Sequence, residues 1–359
     1  VPRFDIVKEI KADGTFKVEQ VKGAFDLQTS TIREHFAGDI AIEGKDWNIG
    51  LIVGRSGTGK TTIAKEVFTA GYIEPHSYGT AAIVNEMPEG IPYATITKMF
   101  TAVGFSSPPS WLKPYAVLSN GERMRVDLAR ALLEDRDVIV FDEYTSVVDR
   151  DVAKVCSLAV NKAIRNQNKK FIAVSCHDDI IAWLQPDWVY DTNQQTFSFR
   201  DRNEPRPEIK VDIFDTHRNT ELWSVFGKYH YLNAEVKRGT DIFVGCINNA
   251  PVAFCAVRHF PHPKNPRLKM VHRLVVLPDY QGIGIGTRFL GFIADLYTRR
   301  GFTVHLVTSQ VSLISSLKKH GWRLVYYGHQ TKQVGGLLYL NKTNSNRRIT
   351  ASFAYTGES

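Results

Sequence analysis

The sequence predicts an α/β domain built on a parallel sheet, followed by an α+β domain. Two apolar strands run directly into glycine-rich loops and then into helices, one near residue 54 and one near residue 282, and each unit needs its own core. A chain of 359 residues, 43% hydrophobic and 23% charged, can bury two such cores. Charge divides the chain in the same place. Residues 1–200 hold 23 Lys and Arg against 26 Asp and Glu, net −3, whereas residues 201–359 hold 22 against 11, net +11.

Boundaries follow from composition. Residues 1–44 read as N-terminal strands of the first domain, 45–203 as its body, 208–342 as the second domain, and 343–359 as a polar tail ordered only near Phe353 and Tyr355. The charged, proline-bearing stretch 201–207 is the seam. A second break at 260–266 reads as an exposed loop. Cys156, Cys176, Cys246 and Cys255 lack the density or spacing of a disulfide framework or zinc site and are expected as reduced thiols. No apolar run reaches the roughly 18 residues of a membrane span, and no signal-like segment leads the chain, so a cytoplasmic protein without a membrane partner is expected. The basic second half favours an anionic partner, nucleic acid first.

The first loop is Gly54-Arg55-Ser56-Gly57-Thr58-Gly59-Lys60-Thr61-Thr62, between an apolar strand at 48–53 and a helix at 63–68. Gly54, Gly57 and Gly59 let backbone N–H groups curl around phosphates together with Ser56 and Thr62. Lys60 brings a point charge to the outer phosphates and the Thr61 hydroxyl suits Mg²⁺, so Mg-ATP is the expected ligand. A second buried strand, 136–141, ends in Asp142 and Glu143. That placement suits Asp142 as the Mg²⁺ holder and Glu143 as the residue polarising attacking water.

The segment Leu118-Ser119-Asn120-Gly121-Glu122 and its following helix resemble the signature segment of the ABC-type ATPases, with Asn120 and Glu122 departing from L-S-G-G-Q. Tyr144-Thr145-Ser146-Val147-Val148-Asp149 resembles that family's P-T-S-x-L-D segment, and His177, after the strand 171–176, its switch histidine. The resemblance implies that Ser119, Gly121 and Asp149 meet ATP held by a partner chain, and hence a head-to-tail homodimer with ATP at its interface. The interval of 59 positions between Lys60 and Ser119 is short for a transporter's docking region. The family's glutamine is missing after the strand expected at 81–84, where Asn85 or Glu86 could approach Mg²⁺. Phe16 and Phe25 are candidates for stacking on adenine, with core packing as the alternative.

In the second half, a strand at 271–277 turns through Pro278-Asp279-Tyr280-Gln281-Gly282-Ile283-Gly284-Ile285-Gly286 into a helix beginning at Thr287. A helix N-terminus preceded by glycines seats a pyrophosphate. The run resembles the acetyl-coenzyme A motif of the GNAT acyltransferases, with Gln281, Gly284 and Gly286 at its defining positions and Gly282, Ile283 and Thr287 beside them. The resemblance implies acetyl-CoA as cofactor and an amine attacking the acyl carbonyl near the strand before the loop, where charge must be stabilised. His272 is a candidate base, and Tyr326 and Tyr327 candidate thiol-protonating groups. The family's well-placed glutamate is absent from that strand. The aromatic segment 222–232 reads first as core-forming; it also resembles the substrate-side segment of Mom-type DNA-modifying acyltransferases. On that reading His230, Tyr231, His272 and Tyr326 line the acceptor pocket.

The expected whole is an α/β P-loop, ABC-type ATPase domain followed by an α+β GNAT acyltransferase domain. Its expected function is an ATP-hydrolysing, ATP-gated dimer coupled to acyl-CoA-dependent N-acyl transfer on nucleic acid. The alternative is an ATP-dependent nucleic-acid-binding or scaffold protein with a degenerate acyltransferase domain.

Overall fold

The computed structural model describes residues 3–11, 13–27, 31–167, 169–200, 207–230, 235–263, 265–329 and 349–357. In chain order, strand β1 (Arg3–Lys11), helix α1 (Phe16–Phe25) and strand β2 (Thr31–Asp39) precede β3 (Ile49–Val53) and α2 (Lys60–Val67). Helices α3 (Tyr93–Ala102), α4 (Pro108–Trp111) and α5 (Asn120–Leu133) lead to β4 (Val138–Phe141), α6 (Arg150–Gln167), β5 (Lys170–Ser175), α7 (Ile180–Leu184), β6 (Trp188–Asp191) and β7 (Thr196–Phe199). The remaining elements are β8 (Asp212–Asp215), α8 (Trp223–Phe226), β9 (Asp241–Ile247), β10 (Ala250–His259), β11 (Leu268–Val276), α9 (Ile285–Arg299), β12 (Thr303–Thr308), α10 (Val311–Leu317), β13 (Trp322–His329) and β14 (Ile349–Tyr355).

These elements form two compact units that interleave along the chain. The first holds Val1–Pro75, Asp135–Val147 and Ile164–Pro205, and the second His76–Glu134, Val148–Ala163 and Arg206–Ser359. Helix α5, which follows the segment expected as the signature, therefore belongs to the same unit as the second glycine loop.

In the first unit the sheet order is β4-β5-β3-β6-β7, with β7 antiparallel and the others parallel. All five residues of β3 are buried, as a strand covered on both faces requires. Its start is fixed by Asp187, whose carboxylate accepts the N–H groups of Asn48 (2.7 Å) and Ile49 (2.9 Å) and pairs with Arg165 at 3.1 Å. Gly50 is required where it stands, because a Cβ there would lie 2.0 Å from the fully buried Trp188 ring. The antiparallel pair β1–β2 brings Phe4 and Ile40 into the same core as Ile52, Ile63, Trp188 and Tyr190.

The second unit carries a seven-stranded sheet in the order β13-β14-β12-β11-β10-β9-β8. Helix α9 buries Phe289, Leu290, Ile293 and Ala294 in the larger core, and Phe226 of α8 joins a second core with Ile242, Phe254 and Val275. Two expectations change here. Part of the tail expected at 343–359 is strand β14, whose Ala351, Phe353 and Tyr355 are buried between β12 and β13. The strand expected at 81–84 is instead a 3₁₀ turn, Ile83–Glu86, in the second unit, whereas Thr61 and Asp142 belong to the first. Among the described residues, its short apolar run joins no sheet. Among the described residues no helix is long and apolar enough to cross a membrane.

Candidate active sites

The first glycine loop leaves the carboxyl end of β3, the end toward which parallel strands direct ligands. Gly57 and Gly59 adopt φ of 82° and 81°, left-handed values that side chains resist. Lys60 begins α2 and donates from Nζ to the Arg55 carbonyl at 2.7 Å, closing the loop on itself. From the β6–β7 turn, Thr192 meets the Thr58 hydroxyl at 2.6 Å and Asn193 accepts the Arg55 N–H at 3.0 Å. These turn contacts have no local sequence motif.

The Phe36 ring stands against the loop, where a Cβ on Gly59 would approach it to 2.3 Å. Phe36 also lines a cavity of about 450 Å³ with Phe4, His35, Arg55, Tyr190 and Asn193. Phe16 and Phe25, the aromatics singled out from sequence, lie on α1, which buries none of its residues. Sequence reasoning overlooked Phe36; its place 18 residues before Gly54 on an alternating strand was the available signal.

Asp142 and Glu143 follow β4, at the same end of the sheet as the loop. Asp142 accepts the Tyr72 hydroxyl at 2.8 Å through one oxygen and the Glu143 N–H at 2.8 Å through the other. Burial, then that hydrogen bond to Asp142, raises the Tyr72 pKa, so Tyr72 keeps its proton and remains a donor. Glu143 turns sharply, at φ 52°, and its side chain is exposed. His177 follows β5 and is half-buried, with its N–H on the Ser175 hydroxyl at 3.2 Å. No cluster of three or more His, Cys, Asp or Glu able to hold a metal occurs among the described residues. One carboxylate and one hydroxyl nevertheless fit Mg²⁺, which keeps waters and takes its other ligands from substrate phosphates.

Ser119, Gly121 and Asp149 belong to the second unit, not to the unit of Lys60. Ser119 caps α5: its hydroxyl accepts the Glu122 N–H at 3.3 Å while the Glu122 carboxylate accepts the Ser119 N–H at 3.1 Å. Glu122 thereby closes a capping box, a physical reason for the departure from glutamine at this position. Its other oxygen accepts the Ser110 hydroxyl at 2.8 Å. Asp149 caps α6 through the Val152 N–H at 2.9 Å.

The second glycine loop, residues 281–286, lies in the same unit. Strands β11 and β12 pair in parallel only from Leu268↔Thr303 to Val271↔Leu306 and part beyond that point, opening a cleft toward their carboxyl ends. Gly282 and Gly284 take φ of 89° and 90°, and Gly284 leads into α9. The Thr287 and Ser316 hydroxyls meet at 2.9 Å and tie α9 to α10. The Gln281 side chain donates to the Val276 carbonyl at 2.8 Å and accepts the Ser106 N–H at 2.7 Å. On the β12 side of the cleft, Gln310 donates to the Ser106 carbonyl at 3.3 Å. The segment 104–106 thus bridges the two sides, and a Cβ on Gly282 would lie 2.9 Å from the Gly104 Cα. The Gln281 amide is committed to protein contacts, and Ile283 packs against the larger core.

Arg125 of α5 joins the signature segment to this loop. Its side chain is fully buried, donates to the Asp279 carbonyl at 2.8 Å, and lies 3.4 Å from both the Asp279 carboxylate and the Gly121 carbonyl. Burial raises the Asp279 pKa while Arg125 pulls it down. No sequence motif pointed to this contact; an arginine on the apolar side of α5 was its only sign.

The ladder between β10 and β11 pairs Ala256 with Arg273 and Val257 with Val271, so it skips His272. Burial, then Arg273, Arg258, Lys237 and His230, lowers the His272 pKa to about 3. His272 is neutral near pH 7 and too weakly basic to suit general-base work there. His230 is buried with its ring edge on Trp223, as close to a core role as to an acceptor role. Tyr326 and Tyr327 are exposed on β13, and Tyr231 lies outside the described residues.

Residues 181–322 match the family model described as Acetyltransferase (GNAT) family. The GNAT match takes in the parted strands, the Gln281–Gly286 loop and α9. Among curated proteins, elongation factor 3 of Gonapodya prolifera is 32% identical over 129 residues, covering 33% of this chain and 12% of its own length. The ATP-dependent lipid A-core flippase of Vibrio vulnificus (strain YJ016) is 27% identical over 218 residues, covering 45% of this chain and 36% of its own length. The chain therefore spans about an eighth of the first relative and little more than a third of the second. Among solved structures, cbiO1 from Clostridium perfringens, part of an ABC transporter complex, is 15% identical at a TM-score of 0.36, covering 52% of this chain and 84% of that one. The IAA acetyltransferase from Bacillus cereus ATCC 14579 is 14% identical at a TM-score of 0.31, covering 41% of this chain and 99% of that one. The mixed α/β architecture is consistent with an ABC-ATPase-like P-loop domain followed by a GNAT-fold acetyltransferase domain.

Proposed function

We propose that this chain is an ATP-hydrolysing, acyl-CoA-dependent N-acyltransferase in which nucleotide state governs acyl transfer, acting on nucleic acid as a head-to-tail homodimer. The observation that carries the coupling is the buried Arg125, which bridges the Gly121 carbonyl and Asp279 at the mouth of the acyl-carrier loop. Displacement of the signature helix is then displacement of that loop.

On the ATPase side, the loop around Lys60 holds the phosphates, Thr61 and Asp142 hold Mg²⁺, Glu143 orients water, and His177 senses the outer phosphate. Mg²⁺, when bound, neutralises phosphate charge. Ser119, Gly121 and Asp149 face the nucleotide of a second copy. On the transferase side, Gly282 to Thr287 present N–H groups to the pyrophosphate of acetyl-CoA. The acceptor amine attacks the thioester carbonyl beside β11; a C–N bond forms, the C–S bond breaks, and the thiolate leaves with the proton the amine releases, carried by water.

The test is incubation with radiolabelled acetyl-CoA, Mg-ATP and separate DNA, RNA, protein and polyamine pools, with particle mass followed by light scattering. Label on nucleic acid and an ATP-dependent dimer are expected. Label confined to protein or polyamines overturns the acceptor, and unchanged ATP hydrolysis in Lys60→Ala overturns the ATPase mechanism. The seating of 104–106 across Gln281 and Gln310 favours one second reading, a nucleic-acid-binding scaffold whose transferase cleft is closed. Failure to bind acetyl-CoA in any nucleotide state selects it.

A further inference from the structure

Basic groups gather on the face of the transferase sheet that carries Trp223 and Phe226. Arg258 comes from β10, His272 and Arg273 from β11, and Lys237 from the approach to β9; Lys237 and His230 lie near enough to His272 to lower its pKa. Arg273 is buried, donates to the His272 carbonyl at 2.8 Å, and rests on the Trp223 ring at 5.9 Å. The Arg258 guanidinium lies 5.9 Å from the Phe260 ring. Its Nε and the Nδ1 of His272 are shut off from solvent without a hydrogen-bond partner among the described residues. Arg258 forms no ion pair among those residues. Burial lowers its pKa as well.

Such an arrangement is costly for a folded chain by itself. Each sealed polar atom forfeits its hydration, and like charges oppose one another. A bound anion relieves both costs. The cluster also sits where the acyl cleft opens: Val271 is the last residue of β11 paired with β12, and His272 follows it. Two guanidinium groups and an ammonium exceed what one carboxylate can neutralise, and planar forks match a tetrahedral oxyanion with several acceptor oxygens.

We propose that Arg258, Arg273, Lys237 and His272 form a phosphate-binding subsite of the acceptor pocket, so that the acyl group goes to an amine on a phosphate-bearing nucleotide, free or within a strand. The inference rests on the acyltransferase reading for what is transferred, but phosphate binding is separable from transfer.

The test uses the full chain with three probes: a short single-stranded DNA, an RNA of the same sequence, and a free nucleoside 5′-monophosphate. Equilibrium binding is compared for the wild type, Arg258→Gln, Lys237→Gln and Arg258→Lys, with thermal unfolding confirming that each variant is folded. Loss of one charge-assisted contact predicts roughly 10- to 100-fold weaker binding of at least one probe for Arg258→Gln, with partial recovery in Arg258→Lys. The probe most affected identifies the source of the phosphate. If no probe binds the wild type, or if folded Arg258→Gln and Lys237→Gln bind every probe within twofold of the wild type, the subsite does not exist. If the variants lose binding but the wild type transfers no label, the subsite stands and the acyltransferase reading falls. If an amine acceptor lacking phosphate is labelled with the same kcat/KM as its phosphorylated counterpart, the enzyme stands and the subsite proposal falls.

Discussion

The amide N–H of Ser106 donates to the side-chain oxygen of Gln281 at 2.7 Å, joining residues 175 positions apart. The second glycine loop, proposed above to seat an acyl carrier, is thus held from the segment between α3 and α4. Gln281→Ala leaves the Ser106 N–H and the Val276 carbonyl without partners. The expected cost is about 1–3 kcal/mol in urea unfolding, together with weaker acetyl-CoA binding by calorimetry. Gln281→Glu, which still accepts from Ser106, should fall between. An unchanged unfolding midpoint in Gln281→Ala would show that the contact is not made in solution.

Arg125→Met removes the link between Gly121 and Asp279 while keeping most of the volume. Leaving the Asp279 carbonyl without its donor predicts a loss of about 1–3 kcal/mol. Acetyl transfer should also lose its response to ATP while ATP hydrolysis persists, and Arg125→Lys should retain part of that response. Equal ATP stimulation in Arg125→Met and the wild type argues against coupling through this residue.

Phe36 stands against the first glycine loop and lines the cavity beside it, which makes it a candidate for stacking on a nucleotide base. Phe36→Ala should raise the KM for ATP by about tenfold, the effect of losing roughly 1.4 kcal/mol of aromatic contact, with kcat little changed. Phe16→Ala, on the exposed face of α1, should leave the KM as it is.

His272 gives stability a defined pH dependence. Its pKa is about 3 in the folded chain against an ordinary 6.5, so between those values the unfolded chain binds the extra proton. Stability therefore rises with pH across this window and is lost as pH falls below about 6.5. The half-buried His305, lowered by burial, acts in the same direction. Chemical denaturation from pH 7 to 4 should show a shallower loss in His272→Asn than in the wild type. An identical slope would mean that His272 titrates normally.

Much of the nucleotide loop, the carboxylate-ended strand and the acyl-carrier loop was legible because backbone conformation and chemistry coincide there in contiguous residues: Gly57 and Gly59 before Lys60, Gly282 and Gly284 before α9. Contacts made only by packing were not legible. Nothing local to Gly104 or Ser106 announces Gln281 as a neighbour, and Arg125, though on the apolar side of α5, names no partner until Asp279 is placed beside it. The strand expected at 81–84 failed for the opposite reason, since an apolar run resembles a strand whether or not a sheet edge exists to receive it. Strand β14 was hidden behind the polar run that precedes it in sequence.

The position of β14 also bears on how the protein is made. Among the described residues, strand β13 reaches the sheet only through Ile349–Tyr355, and β12 gains its second neighbour from the same residues. During synthesis, therefore, the seven-stranded sheet waits with one incomplete edge and one unattached strand until β14 emerges from the ribosome. Through that interval Trp322 and Leu324 have no strand to lie beside, and unpaired backbone at such an edge invites pairing with other chains. Yield in cells should consequently depend on how quickly the ribosome passes from residue 329 to residue 355.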